Sequence, residues 1–380
     1  MGEATLPSVE ERIDILGLDS AALAEAASRL LGSGAGVAPK IFERAFEAGA
    51  FRVEDLGLSA ASVRAWREHF ELKLLEVDQV VSDEGGTAKA VLGLEGGGSV
   101  ECVRIPMPGG DGEKSTLCVS SQLGCRMGCA FCETGRAGLL RNLSAAEIVA
   151  QVLTTRTKLG WDCHNLVFMG MGECLDNLGE VAQALRVLGD NRGLGFAQER
   201  MTLCTSGPAG AIEELHKLGL KRLGLSISLN AGSDEKRSAL MPVNRGNGLD
   251  SLASSLASYP MRRNFALGVN WCLIPGVNDS REDAAEAAAF CAKVGRCIVN
   301  LIPYNPGRAQ IGRAPSVAEV ERFAALLTEY GCAVKKRETK GGSIMAGCGQ
   351  LGGPVLGASP VLGASPVLGA RPIDSGRNRG

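Results

Sequence analysis

Long apolar runs are missing from this chain, and so is any imbalance of charge. No stretch reaches the about 20 consecutive apolar residues that cross a bilayer, and the opening MGEATLPSVEERID is acidic rather than signal-like. A cytoplasmic location is expected. The formal net charge of −2 removes any global footprint for nucleic acid, so RNA contacts would have to come from local basic patches. Histidine is scarce: His69, His164 and His216 show no ligand-like grouping and receive no role. What the chain does have is cysteine, 13 in 380 residues, an odd number with several inside apolar strand-like runs. That usage points to a reducing compartment and to metal and thiol chemistry. The length and the 45% hydrophobic content allow one large domain plus an accessory piece.

Cys125, Cys129 and Cys132 stand in a C-x3-C-x2-C spacing on a polar, glycine-flanked loop. Three close thiolates can occupy three positions around one metal centre. A structural zinc site wants four protein ligands, and no fourth is at hand locally. An open three-cysteine loop therefore argues for a [4Fe–4S] cluster with one iron left free.

Residues 1–76 read as a small helical accessory domain, with helical spacing at 21–31, 39–48 and 59–75 and Ser59 as an N-cap. Arg64, Arg67 and Lys73 in this part could meet a phosphate backbone, although a solvated helix face accounts for them too. Residues 77–114 read as a β-hairpin connector with strands at 89–94 and 99–105. From 115 to 351 short β-rich runs alternate with helices. The strands are expected at 116–120, 165–169, 200–204, 222–229, 266–273 and 297–302; the helices at 144–159, 178–188, 209–218, 249–258, 281–294 and 316–330. Ser144 and Glu147 form a capping box. Six such units predict an α/β fold, a partial (β/α)6 barrel with the cluster loop after its first strand, on the face where barrels collect their chemistry. Residues 352–380 contain the PVLGAS repeats and read as a disordered tail.

The stretches TLCVSSQLGCRMGCAFC (116–132), VFMGMGE (167–173), SISLN (226–230), VNLIPYNP (299–306) and GCGQL (347–351), taken in this order, resemble the RlmN/Cfr family of radical S-adenosylmethionine (SAM) RNA methyltransferases. The resemblance implies a [4Fe–4S] cluster on Cys125, Cys129 and Cys132, with SAM chelated at the free iron. It implies that Cys348 is methylated by one SAM, and that a second SAM is cleaved to a 5′-deoxyadenosyl radical that takes hydrogen from the methyl group. The carbon radical then adds to an adenine carbon, C2 or C8, which is too electron-poor to attack SAM directly. Cys118 would resolve the protein–RNA adduct through a transient disulfide with Cys348. Glu101 would accept the adenine proton. SAM contacts are implied for Gly172, Glu173, Cys204, Ser228, Leu229, Asn230 and Asn305. The implied substrate is C2 of an adenine in 23S ribosomal RNA, with transfer RNA as a further substrate; the alternatives are C8 methylation of 23S ribosomal RNA, or a diverged radical SAM enzyme acting on another substrate. An electron donor such as flavodoxin or ferredoxin is implied as a partner.

Four positions depart from the family pattern. Cys204 stands where serine is usual, Asn230 where histidine is usual and Cys174 where proline is usual, and Trp271 replaces a glutamate–tyrosine pattern. Lys335, Lys336, Arg337 and Lys340 precede Cys348 and offer cations to phosphates, or a solvated strand end.

Overall fold

The computed structural model describes residues 12–32, 36–107, 114–260, 265–308 and 310–352. The expected tail at 352–380 lies outside the described residues beyond Gly352.

The amino-terminal part holds the helices α1 (Ser20–Leu31), α2 (Ala38–Ala48) and α3 (Ala60–His69). Ser59 caps α3 by accepting from Ser62 N at 3.2 Å. The expected helix over 59–75 stops at His69, because Phe70 turns extended. Strand β2 (Phe70–Glu71) then pairs in parallel with β1 (Ile13–Asp14). This pairing spans more than fifty residues and outweighs the local helical spacing.

Strands β3 (Glu76–Ser82), β4 (Ala88–Gly93) and β5 (Ser99–Pro106) form an antiparallel run. β5 pairs antiparallel with β6 (Ser115–Cys118), which carries the run directly into the main sheet. β3 was not among the expected strands; its side chains alternate half-buried and exposed along the sheet edge.

The main sheet has ten strands in the order β14-β13-β12-β11-β10-β9-β6-β5-β4-β3. Its parallel part is β6, β9 (Asn165–Phe168), β10 (Met201–Thr205), β11 (Gly224–Ser228), β12 (Leu267–Leu273), β13 (Cys297–Pro303) and β14 (Val334–Lys336). Each parallel strand lies beside its predecessor in the chain, as in a barrel. The two edge strands do not pair, so the barrel stays open. Between the strands run α5 (Ala145–Leu159), α6 (Leu178–Gly189), α7 (Ala211–Lys217), α8 (Asp234–Leu240) with α9 (Leu249–Ser258), α10 (Arg281–Val294) and α11 (Val317–Glu329). The expected capping box at α5 forms from Ser144 and Glu147. β14 extends the expected set of strands by one.

After β6 the chain makes a small excursion. β7 (Gln122–Cys125) and β8 (Gly138–Asn142) pair antiparallel and hold the cysteine loop and the short α4 (Glu133–Ala137) between them. Among the described residues, no helix is long and apolar enough to cross a membrane.

Candidate active site

Cys125 ends β7, Cys132 is the residue preceding α4, and Cys129 lies between them. Burial pushes the Cys125 thiol up to about 12 and raises Cys129 and Cys132 as well; Cys132 adds to the rise at Cys125, and Cys132 and Cys125 add to it at Cys129. The Arg237 guanidinium opposes that rise at Cys129. Among the described residues no three His, Cys, Asp or Glu side chains converge on a point where a single metal ion could bind. An iron–sulfur cluster takes its thiolate ligands on different irons, and three neighbouring thiols on one loop fit that donor set.

The loop carrying Cys348 closes over this corner. Glu133 N donates to Gly349 O at 2.8 Å, and Thr134 Oγ1 donates to Leu351 O at 2.6 Å. Gly349 has φ +85°, and a Cβ there would stand 2.9 Å from Phe131 O. Only glycine lets the two loops approach this closely. On the other side Gln350 Nε2 donates to Pro306 O at 3.0 Å, and Asn305 lies against Gly347.

Cys348 is the one exposed cysteine among the described residues. Its thiol is nevertheless hemmed in: desolvation pushes it upward, Cys204 and Cys132 add to the rise, and Arg337 opposes it. Cys118, at the end of β6, is buried; desolvation raises its thiol most and Cys348 adds to that. The fold therefore brings Cys118, Cys348 and the cluster loop together, although Cys118 and Cys348 lie far apart in the chain.

Glu101 lies in this region too, but not as a solvated hairpin carboxylate. It is 4% exposed and forms an ion pair with Lys89 Nζ at 2.9 Å. Lys89 also donates to Met345 O at 3.0 Å, and Gly352 N donates to Glu101 Oε2 at 2.6 Å. The pair thus joins the β4–β5 hairpin to both ends of the Cys348 loop. Lys89 carries no motif and was missed by sequence reasoning; only strand pairing of Ala90 with Cys102 and Val91 with Glu101 brings it near.

Glu173 follows β9. Its Oε2 accepts from Ser206 N at 2.7 Å and Ser206 Oγ at 2.8 Å, and its Oε1 accepts from Leu175 N at 3.1 Å. Burial raises its carboxyl and these bonds oppose the rise. Gly172, at φ +101°, passes so close to Gln122 that a Cβ would lie 2.6 Å from the Gln122 Cβ. The Cys204 Sγ lies 3.5 Å from Ser228 Oγ and 3.1 Å from Asn270 Nδ2. From Asn270 a ladder of bonds crosses the strands: Asn300 Nδ2 donates to Asn270 Oδ1 at 3.0 Å, and Arg337 Nε donates to Asn300 Oδ1 at 3.2 Å.

Arg237, also missed, is fully buried. It donates to the carbonyls of Ser206, Ser228 and Leu229 and to Asn244 Oδ1, at 2.7 to 3.1 Å. Burial lowers its pKa to about 10. One side chain thus fixes the loops after β10 and β11. Its setting DEKRSAL reads as an ordinary surface helix, so no sequence signal marks it.

The departures from the family pattern have structural places. Asn230 sits at φ +61°, which asparagine tolerates better than most residues, and its Oδ1 accepts from Cys272 N at 2.8 Å. Cys174 donates to Cys204 O at 3.1 Å, so two of the unusual cysteines adjoin. Trp271 is buried with its ring 5.6 Å from Phe323, and its Nε1 donates to Asn278 O. Of the basic run, Lys336 pairs with Glu321 and Lys340 donates to Pro106 O, while Arg337 faces Cys348. Among the amino-terminal cations, Arg67 pairs with Glu54, and Lys73 with Glu71 and Glu95.

An open parallel barrel with a three-cysteine loop at the carboxyl ends of its strands defines the class, that of radical SAM enzymes, and residues 119–288 match the Radical SAM superfamily. A radical SAM methyltransferase from Sphaerobacter thermophilus has the same fold, with TM-score 0.81 and 33% identity over 89% of this chain and 99% of that one. The probable dual-specificity RNA methyltransferase RlmN 1 of Protochlamydia amoebophila is 36% identical over 90% of this chain and 94% of its own length. The dual-specificity RNA methyltransferase RlmN of Halorhodospira halophila is 42% identical over 79% and 82%. The chain belongs to the RlmN/Cfr family of radical SAM RNA methyltransferases.

Proposed function

We propose that this methyltransferase acts on C2 of an adenine in 23S ribosomal RNA, and on an adenine of transfer RNA, with Cys348 carrying the methyl group. The observation that supports this most is the meeting of an exposed Cys348 with a buried Cys118 beside the cluster loop. The dual specificity printed for the relatives supports two RNA substrates.

Cys125, Cys129 and Cys132 would hold the [4Fe–4S] cluster, with SAM at its open iron. When bound, these groups supply a 5′-deoxyadenosyl radical able to take hydrogen from an unactivated methyl group. The residues of the chain do the rest. Cys348, reachable from solvent and faced by Arg337, presents its sulfur first to SAM and then to the base. Glu101, held by its ion pair with Lys89, would accept the adenine proton. Cys118 would attack the Cys348 sulfur, so that an S–S bond forms as the sulfur–carbon link to RNA breaks; the bonding pair goes to the RNA methylene carbon, which takes a proton and becomes the methyl group. Glu173, Ser228, Leu229, Asn230, Cys204 and Asn305, with Gly172 leaving room, line the strand ends where SAM would lie. Flavodoxin or ferredoxin would supply electrons, and a cytoplasmic location belongs to the same proposal.

Expression in a host lacking its own adenine-C2 methyltransferase, followed by nucleoside mapping of ribosomal and transfer RNA, tests the substrate. C2-methyladenosine that disappears with Cys348→Ala is expected. Methylation at C8 alone would overturn the C2 assignment, and no methyladenosine would overturn both.

A further inference from the structure

A second set of thiols lies away from the cluster loop. Cys291 is in the last turn of α10, Cys297 opens β13, and Cys332 stands two residues before β14. β13 and β14 pair in parallel with Val299 opposite Val334, and Val299 N donates to Ala333 O at 2.8 Å. Cys297 and Cys332 each stand two residues before this pair in their own segments, at the same end of the two strands. Cys291 completes the set: its carbonyl accepts from Cys297 Sγ at 3.9 Å, and its thiol acts on the thiols of both Cys297 and Cys332.

Side-chain alternation separates this trio from the reaction chamber. Asn270 and Asn300 point inward to the ladder that ends on Arg337, so Cys297 and Val299 point to the opposite, helix-covered face. Among the described residues no three His, Cys, Asp or Glu side chains are grouped to hold one metal ion, the trio included. They are arranged instead for Cys291 to reach either neighbour. The neighbouring Cys291 thiol holds Cys297 and Cys332 below the usual thiol range, whereas Cys291 itself is raised. Cys297 and Cys332 are half-buried rather than sealed. Thiolate character with access to solvent is what makes a cysteine reactive.

We propose that Cys291, Cys297 and Cys332 form an oxidation site at which a peroxide makes a disulfide that includes Cys291. The thiolate of Cys297 or Cys332 attacks the peroxide O–O bond, giving a sulfenic acid and one water after protonation. The sulfur of Cys291 then attacks the sulfenic sulfur, the S–S bond forms and a second water leaves. Two thiols lose two electrons and hydrogen peroxide takes them up. The remaining thiol can exchange into the new bond. A Cys291–Cys332 bond would tie α10 to the corner from which β14 leads on to Arg337.

The test uses the full chain, purified anaerobically with its cluster, treated with one equivalent of hydrogen peroxide, alkylated and mapped by peptide mass spectrometry. A disulfide from Cys291 to Cys297 or Cys332 is expected before Cys102 or Cys163 is modified. Before oxidation, iodoacetamide at neutral pH should label Cys297 and Cys332 roughly tenfold faster than Cys163, whose thiol burial raises. In Cys291→Ala the sulfenic acid should persist and be trapped by dimedone. The proposal is overturned if the trio stays reduced while Cys102 and Cys163 oxidise, if Cys297 and Cys332 label no faster than Cys163, or if Cys291→Ala forms a trio disulfide just as fast. No readout depends on methylation, so failure of the RNA assignment leaves this result interpretable.

Discussion

The chamber thiols and the outer trio use the same side chain at opposite ends of the strands, and they are assembled in different ways. Cys118, the cluster loop and Cys348 come from remote segments, held by crossing bonds such as Glu133 N to Gly349 O and by the buried Lys89–Glu101 pair. Cys291, Cys297 and Cys332 come from one continuous run, α10 to β14, and are placed by the packing of that run and the pairing of its two strands. The difference teaches that a site built from remote pieces depends on its supporting polar contacts, while a site built from adjacent strands depends on the sheet. Perturbing the support should damage the first and leave the second intact.

The largest expected effect separates the two sets. Cys125→Ala should reduce cluster iron to background and abolish 5′-deoxyadenosine formation, while alkylation rates at Cys297 and Cys332 stay unchanged; Cys291→Ala should do the reverse. Iron analysis and peptide mapping of both variants check this. Next comes the support itself. Lys89→Met leaves the Glu101 carboxylate buried without its partner, and urea unfolding should reveal a loss of about 3–5 kcal/mol. Lys73→Met, at an exposed pair, should cost no more than about 1 kcal/mol. Equal losses would break the distinction between buried support and surface charge.

A further effect lies far from both sets. Burial raises the Asp14 carboxyl from 3.8 to about 6. A carboxyl raised on folding contributes stability that is present below its unfolded value and lost as pH climbs through the folded one. Stability should therefore fall by this contribution between about pH 4 and 6 and level off above, and Asp14→Asn should flatten that part of the profile in thermal melts.

Much of the barrel was legible because its signals are local. The helices Leu249–Ser258 and Arg281–Val294 fall where periodicity and caps put them, the latter with a capping box from Ser280 and Asp283. The helix at 59–75 was overextended because the pairing of Phe70 with Ile13 is not a local fact. The edge strands β3 and β14 escaped notice, the one half-solvated and the other three residues long. Within the site, the cysteine spacing spoke for itself, whereas Glu101, Cys118 and Cys348 were marked only by resemblance to the family. Lys89 and Arg237 were invisible, since a lysine in a strand and an arginine in a polar helix acquire their roles through partners remote in sequence. The outer trio was hidden for a related reason: the pairing of two strands, not spacing, brings Cys297 and Cys332 together.

The central claim is that Cys118 and Cys348 meet in order to make and then break a bond to RNA. Cys118→Ala, expressed anaerobically and purified under denaturing conditions, measures this most directly. RNA covalently retained through Cys348, and absent from the Cys118→Ala/Cys348→Ala double variant, is the predicted result. Free RNA with undiminished turnover in Cys118→Ala would contradict it.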